Sequence, residues 1–266
     1  MDELTDKVAV VTGAASGIGF ALCEAFAAAG MRVVLADIDP AALEAAAERL
    51  GGDALAVPTD VTSWDAVDEL EARAVDRFGG VHVLCNNAGV QLPGVTWEFT
   101  RAEWEWVLGV NWGGTVHGIR SFVPGMVAHG EPGHVVNTAS LGGLIAFPGL
   151  APYTAAKHAV VGLSEVLAHD LRAAGSAIGV SVLCPGPVHT SLRENSAVLQ
   201  PGGEHSRDVP VLTSPRTPAE DVATQVVDAI RTDRFWILTH PEYNDQIRER
   251  SRGILETDEV VVATID

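Results

Sequence analysis

The chain predicts an α/β fold, a single doubly wound parallel sheet of about seven strands with helices on both faces. Three observations predict it. Short β-rich runs alternate with helical stretches along the whole chain, and such alternation builds parallel βαβ units. A glycine-rich turn, Thr12-Gly13-Ala14-Ala15-Ser16-Gly17-Ile18-Gly19, separates the first strand from the first helix. No linker-like shift in composition and no repeat divides the 266 residues, so 1–266 reads as one domain.

The first strand covers 7–11 and the first helix 20–29, with Gly30 placed to end it. Strand, glycine turn and helix make the context of a phosphate cradle. Glycines let the backbone approach a pyrophosphate, and the helix N-terminus offers free N–H groups and positive dipole. The spacing is G-x-x-x-G-x-G rather than G-x-G-x-x-G, and a tight turn needing positive φ would use the same residues. The second strand, 31–36, ends in Asp37. An acid there, a little over ~20 residues past the glycines, binds both ribose hydroxyls of NAD. Capping the helix at 41–50, ahead of Pro40, is its other reading. A third strand at 54–58 leads to Asp60, read as an adenine contact or as the cap of helix 65–78, with Ser63 as rival cap. The fourth strand, 81–85, runs into Asn86-Asn87-Ala88-Gly89, which suits backbone close to a cofactor or a simple turn.

A mostly helical stretch covers 100–130 and contains Asn111. A polar residue inside an apolar helix is a structural hydrogen bonder, and here it is also expected to perturb the helix and hold a water. The fifth strand is 133–139 and the sixth 180–184, with a helix at 153–174 between them. That helix is apolar or small nearly all round, so both its sides are expected to be buried, one on the sheet and one on a second subunit. Residues 191–217 are rich in Pro, Gly, Ser and charge and read as a structureless lid. Thr217 is expected to cap a helix with Pro218 at its first position. A last strand at 235–239, a helix at 241–255 and an apolar tail at 260–265 complete the chain.

The stretch 140–157 holds a hydroxyl at Ser140, a phenol at Tyr153 and an amine at Lys157. Tyr153 and Lys157 are four apart, so a helix projects both from one face. A good acid–base group has a pKa near the working pH. Bringing a phenol down from ~10 takes about 4 kcal/mol, and a cation ~5 Å away at an effective dielectric of ~20 supplies roughly 3 kcal/mol. Ser140 is placed to hydrogen-bond the substrate oxygen. The pair alone also occurs as plain structure on many helices, so its chemical reading depends on the cofactor site.

The composition is that of a soluble chain, 47% apolar and 20% charged. Its net charge of −18 repels phosphate backbones and anionic lipid, which argues against nucleic-acid and membrane roles. Cys23, Cys85 and Cys184 are widely spaced and odd in number. They read as buried free thiols in a reducing, cytoplasmic setting. No leader and no apolar run of ~18 residues is expected. The nine His residues lack metal-ligand spacing, so no metal is expected. His189 falls in the loop after the sixth strand and reads as a surface residue.

Taken together, Thr12-Gly13-(x3)-Gly17-Ile18-Gly19, Asp60-Val61, Asn86-Asn87-Ala88-Gly89, Asn111, Ser140, Tyr153-(x3)-Lys157 and Pro185-Gly186-(x)-Val188-(x)-Thr190 resemble the short-chain dehydrogenase/reductase family over nearly the whole length. The resemblance implies a Rossmann-type sheet and a hydride-transferring oxidoreductase of secondary alcohols and ketones. It implies Tyr153 as acid–base, Lys157 lowering its pKa and binding the nicotinamide ribose, Ser140 orienting the substrate and Asn111 holding a water in a proton relay. Gly13, Ser16, Gly17, Ile18, Gly19, Asp37, Asp60, Val61, Asn87, Ala88, Gly89, Pro185, Gly186, Val188 and Thr190 would meet the cofactor.

Asp37 and the absence of Lys or Arg between it and Glu48 favour NAD over NADP. An NADP-dependent carbonyl reductase and a non-catalytic dinucleotide-binding protein are the alternatives. The uncharged run 141–150, with Val90, Leu92 and Pro93, predicts an apolar, cyclic small-molecule substrate. The partner expected is further copies of the chain, in a tetramer.

Overall fold

The computed structural model describes residues 1–202, 216–256 and 260. Seven strands form one sheet in the order β3-β2-β1-β4-β5-β6-β7, every neighbouring pair parallel. They are β1 (Val8–Thr12), β2 (Arg32–Asp37), β3 (Leu55–Pro58), β4 (Val83–Asn86), β5 (Gly133–Thr138), β6 (Ile178–Cys184) and β7 (Trp236–Leu238). The helices are α1 (Gly17–Ala28), α2 (Pro40–Leu50), α3 (Trp64–Phe78), α4 (Arg101–Leu108), α5 (Gly114–His129), α6 (Ala151–Ala173), α7 (Leu192–Leu199), α8 (Ala219–Thr232) and α9 (Asn244–Glu256). The fold class expected from the alternation is the one observed.

Strand residues alternate between the faces, and the core divides accordingly. Ala9, Val11, Val33 and Leu35 join Phe20, Phe26 and Ile230 in one layer. Val8, Val10, Val34 and Ala36 join Leu70, Phe122 and Met126 in the other. Fully burying a side chain the size of Phe or Leu contributes about 1.5–3 kcal/mol, so both layers hold the sheet's register. The strand order reverses between β1 and β4, and a parallel sheet opens a crevice at such a reversal, outside the strands' C-terminal ends.

Stretch 100–130 is helical, and the perturbation expected at Asn111 is there as a π-helical turn, Gly109–Gly113, between α4 and α5. Asn111 sits in that turn, and its Nδ2 donates to Val107 O and Val90 O, both at 2.9 Å. A side chain tied to the preceding turn and to a neighbouring loop is one cause of such a bulge.

Helix α6 begins at Ala151, with Pro152 in its first turn. It is not buried all round. Ala156, Val160, Ser164 and Leu167 face inward, while Ala155, Ala159, Gly162 and Val166 lie exposed. Thr217 does not cap α8, whose N-cap position is Pro218; its hydroxyl instead lies 3.1 Å from His240 Nε2. The lid expected at 191–217 is helical over α7. Its residues 203–215, and residues 261–265 of the expected tail, lie outside the described residues.

Candidate active site

Strand β1 ends in a turn that folds back on itself. Gly13 has φ +65°, and a Cβ there would lie 2.8 Å from Ala88 Cα. A Cβ on Gly19 would lie 2.0 Å from Gly13 O. Glycine is the one residue that allows this approach. Ser16 stands at the N-cap position of α1 without a capping bond.

At the end of β2, Asp37 Oδ2 accepts from Ala15 N–H at 3.0 Å and Oδ1 from Asp39 N–H at 3.2 Å. Asp39, not Asp37, caps α2, accepting from Ala41 and Ala42 N–H. Asp60 does not cap α3 either. It accepts from Thr62 N–H and Oγ1, and Ser63 holds the cap.

Asn86 and Asn87 divide by face. Asn87 Nδ2 donates to Thr12 O at 3.0 Å, tying the end of β4 to the glycine turn. Asn86 turns into the core instead and donates to Asn137 Oδ1 at 2.9 Å. Thr12 joins them, a residue marked in the sequence only by its place in the glycine motif. Its hydroxyl accepts from the N–H groups of both Asn87 and Ala88 at 3.0 Å.

The chemical groups gather where β5 meets α6. Ser140 Oγ accepts from Gly142 N–H at 3.0 Å and lies 3.5 Å from Pro185 O. Lys157 is buried, with Nζ donating to Thr138 O at 2.8 Å and standing 5.6 Å from the Tyr153 ring centroid. Burial pushes the Lys157 ammonium down to about 8, so it keeps its proton at neutral pH.

Burial raises the Tyr153 phenol, while its hydrogen bond with Ser140 works against that rise. This reverses the sign expected from Lys157. The ammonium hydrogen-bonds Thr138 O and lies over the ring, so it does not offset the desolvation of the hydroxyl. Asn111 Oδ1 accepts from Val90 N–H at 3.3 Å. A Cβ on Gly89 would lie 2.9 Å from that oxygen and 3.6 Å from Lys157 Nζ, so Asn111 and Lys157 converge over Gly89.

These ends belong to one cleft of about 380 Å³, and every residue singled out above as catalytic or cofactor-binding lines it. Pro185 O accepts from Leu141 N–H at 2.8 Å, and Thr190 packs against Gly17. Part of the expected substrate wall is core instead. Ile145 packs with Leu141 and Tyr243, and Leu92 packs with Phe99 and Val107. Leu141, Phe147 and Leu150 do line the cleft, joined by Trp106, Val110 and Tyr243, which no local signal marked.

His189 is exposed and is not among the lining residues. Cys23, Cys85 and Cys184 are buried and free. Among the described residues there is no group of three or more His, Cys, Asp or Glu side chains able to hold a metal ion, and no helix is long and apolar enough to cross a membrane.

A family model described as short chain dehydrogenase matches residues 7–198. The chain belongs to the short-chain dehydrogenase/reductase family. One relative of this short-chain dehydrogenase/reductase, a CLA biosynthesis dehydrogenase/reductase of Lactiplantibacillus plantarum, is 35% identical over 96% of this chain and 95% of its own. A 1-deoxy-11-beta-hydroxypentalenate dehydrogenase of Streptomyces exfoliatus is 38% identical over 93% and 88%. A solved short chain dehydrogenase/reductase of Burkholderia phymatum, in complex with NAD, has a TM-score of 0.92 and 40% identity, covering 99% of this chain and all of that one.

Proposed function

We propose that the protein is an NAD-dependent oxidoreductase that interconverts a mostly apolar secondary alcohol and its ketone. The observation that carries this is one cleft with the glycine cradle and Asp37 at one end and Ser140, Tyr153 and Lys157 at the other. A dinucleotide fits the residues present. Gly13 and Gly19 leave no room for a Cβ, and Asp37 forms no ion pair among the described residues. Gly13, Ser16, Gly17 and Ile18 would hold the pyrophosphate, Asp37 the adenosine ribose, Asp60 and Val61 the adenine, and Val188 and Thr190 the nicotinamide end. Bound NAD would accept the hydride of alcohol oxidation, and NADH would return it.

The chain's own groups handle the proton. Tyr153 Oη, a neutral phenol in its buried setting, gives its proton to the oxygen of the ketone, and alcohol oxidation runs the same transfer backwards, the alcohol's proton passing to the deprotonated phenolate. Ser140 Oγ hydrogen-bonds that same oxygen and orients it. The Lys157 ammonium would bind the nicotinamide ribose, and Asn111 would hold a relay water beside it. A cofactor-reduction screen over secondary alcohols tests the whole reading, and no NADH formation with any of them would defeat it.

NAD is expected to exceed NADP in kcat/KM by at least about tenfold. A 2′-phosphate beside the Asp37 carboxylate costs roughly 3–4 kcal/mol per charge pair at ~4–5 Å and an effective dielectric of ~20, before screening. Equal values would remove Asp37 from this role.

The substrate wall of Val110, Leu141, Phe147 and Leu150 gains on the order of 25 cal/mol per Å² of apolar surface buried. Unpaired sugar hydroxyls would each cost about 1–3 kcal/mol there. Arg193 and Arg216 also line the cleft and form no ion pair among the described residues, which favours an alcohol carrying a carboxylate. Cyclic alcohols should therefore outrun free sugars, and a hydroxy acid should outrun its methyl ester. Faster turnover of sugars would overturn the apolar wall, and equal turnover of acid and ester would overturn the carboxylate.

We also propose a tetramer closed over the exposed strip of α6, where Val166 is 56% exposed beside Ala155, Ala159 and Gly162. Light scattering should give four times the chain mass, and a monomer at micromolar concentration would refute it. The buried thiols suit a reducing cytoplasm.

A further inference from the structure

We propose that His240 is the positioning residue of the cofactor-side loop 185–190, a clamp that holds the Gly186 N–H on one ring edge and the Pro187 carbonyl on the other. This rests on the dinucleotide reading above. His240 follows β7, is 4% exposed, and meets the loop on both edges of its ring. Gly186 N–H donates to His240 Nδ1 at 3.0 Å. Nε2 lies 2.9 Å from Pro187 O and 3.1 Å from Thr217 Oγ1. Thr239 Oγ1 lies 2.7 Å from Nδ1.

The backbone settles the tautomer. A peptide N–H only donates, so Nδ1 is the bare nitrogen; a carbonyl only accepts, so Nε2 carries the hydrogen. Neutral imidazole with its proton on Nε2 is the form that satisfies both, and Thr239 O–H supplies a second donor to Nδ1.

The ring also explains Gly186. A Cβ there would lie 2.7 Å from His240 Cγ, so the glycine makes room for the imidazole as well as lining the cleft. The clamp is braced further along. Thr217 N–H donates to Pro187 O at 3.0 Å, and His189 N–H donates to Thr217 O at 2.9 Å. Pro185 and Gly186 come just before Val188 and Thr190, which line the cleft, and Pro185 O contacts Ser140. One buried ring therefore aligns the loop that serves both ends of the reaction centre.

The test compares His240→Ala, His240→Asn and His240→Gln with wild type, using NADH fluorescence titration and amide hydrogen exchange at Gly186. Asn reproduces the acceptor at the Nδ1 position, and Gln reproduces a donor near Nε2. His134→Gln is the control, a buried histidine on β5 bonded to Ser181 and remote from the loop. Expected are a Kd for NADH raised at least about tenfold in His240→Ala, faster exchange at Gly186, and partial recovery of both in His240→Asn or His240→Gln. The control should lower Tm without moving Kd.

If His240→Ala does not fold, the Asn and Gln variants decide, each expected to bind NADH more weakly than wild type. Unchanged Kd or unchanged Gly186 exchange in the folded variants would overturn the clamp. Wild type failing to bind NADH would instead overturn the dinucleotide reading, before any variant is made.

Discussion

Tyr153→Phe is expected to lower kcat by about 10²–10⁴-fold, the usual contribution of a positioned acid–base group, while the Kd for NADH stays within about twofold. That loss corresponds to about 3–5 kcal/mol of transition-state stabilisation. The split follows from where the parts of the side chain sit. The ring packs against the cluster of Val90, Leu92, Phe99 and Val107, and phenylalanine keeps that packing. The hydroxyl alone meets Ser140 and, in the proposed reaction, the substrate oxygen. Burial holds the phenol neutral, so the substitution removes no charge, and the lost hydrogen bond with Ser140 costs about 1 kcal/mol. Stability should barely change. Single-turnover and fluorescence measurements on the same preparation check both halves, and a kcat within tenfold of wild type would remove Tyr153 from the chemistry.

Gly19→Ala should weaken NADH binding at least about 100-fold and lower Tm by roughly 2–12 °C. The added methyl would meet Gly13 O at 2.0 Å and Asn87 Nδ2 at 2.7 Å. The carbonyl belongs to the turn itself and has no flexible arm to swing aside. Nor is α1 free to retreat, because Leu22 and Phe26 anchor it in the core. Overpacking of this kind typically costs 1–3 kcal/mol, which in a domain this size is about 2–4 °C for each kcal/mol. The larger effect falls on binding, since the strain is relieved by displacing the turn that forms the cradle. Calorimetry and NADH titration read the two effects separately. A folded variant binding NADH within threefold of wild type would show that the turn does not hold the dinucleotide.

What the sequence by itself determined is what repeats locally. Strand–helix alternation specified the parallel sheet, and glycines clustered between β1 and α1 marked the tight turn that lines the cleft, because backbone conformation and burial periodicity are written over a few neighbouring residues. The i, i+4 spacing placed Tyr153 and Lys157 on one helix face for the same reason.

The tertiary structure alone decided the rest. Asn86 and Asn87 are adjacent and identical in type, yet the pleat sends one into the core and the other to the glycine turn, and which is which depends on the neighbouring strands. The sign of the Tyr153 shift turned on burial and on where the Lys157 amine points, neither of which spacing records. Thr217 has the local sequence of a cap, yet its hydroxyl lies beside His240. His240 itself lies 54 residues from the Gly186 amide it accepts from. No local pattern signals such a contact, because only the closing of β7 onto β6 brings the two together.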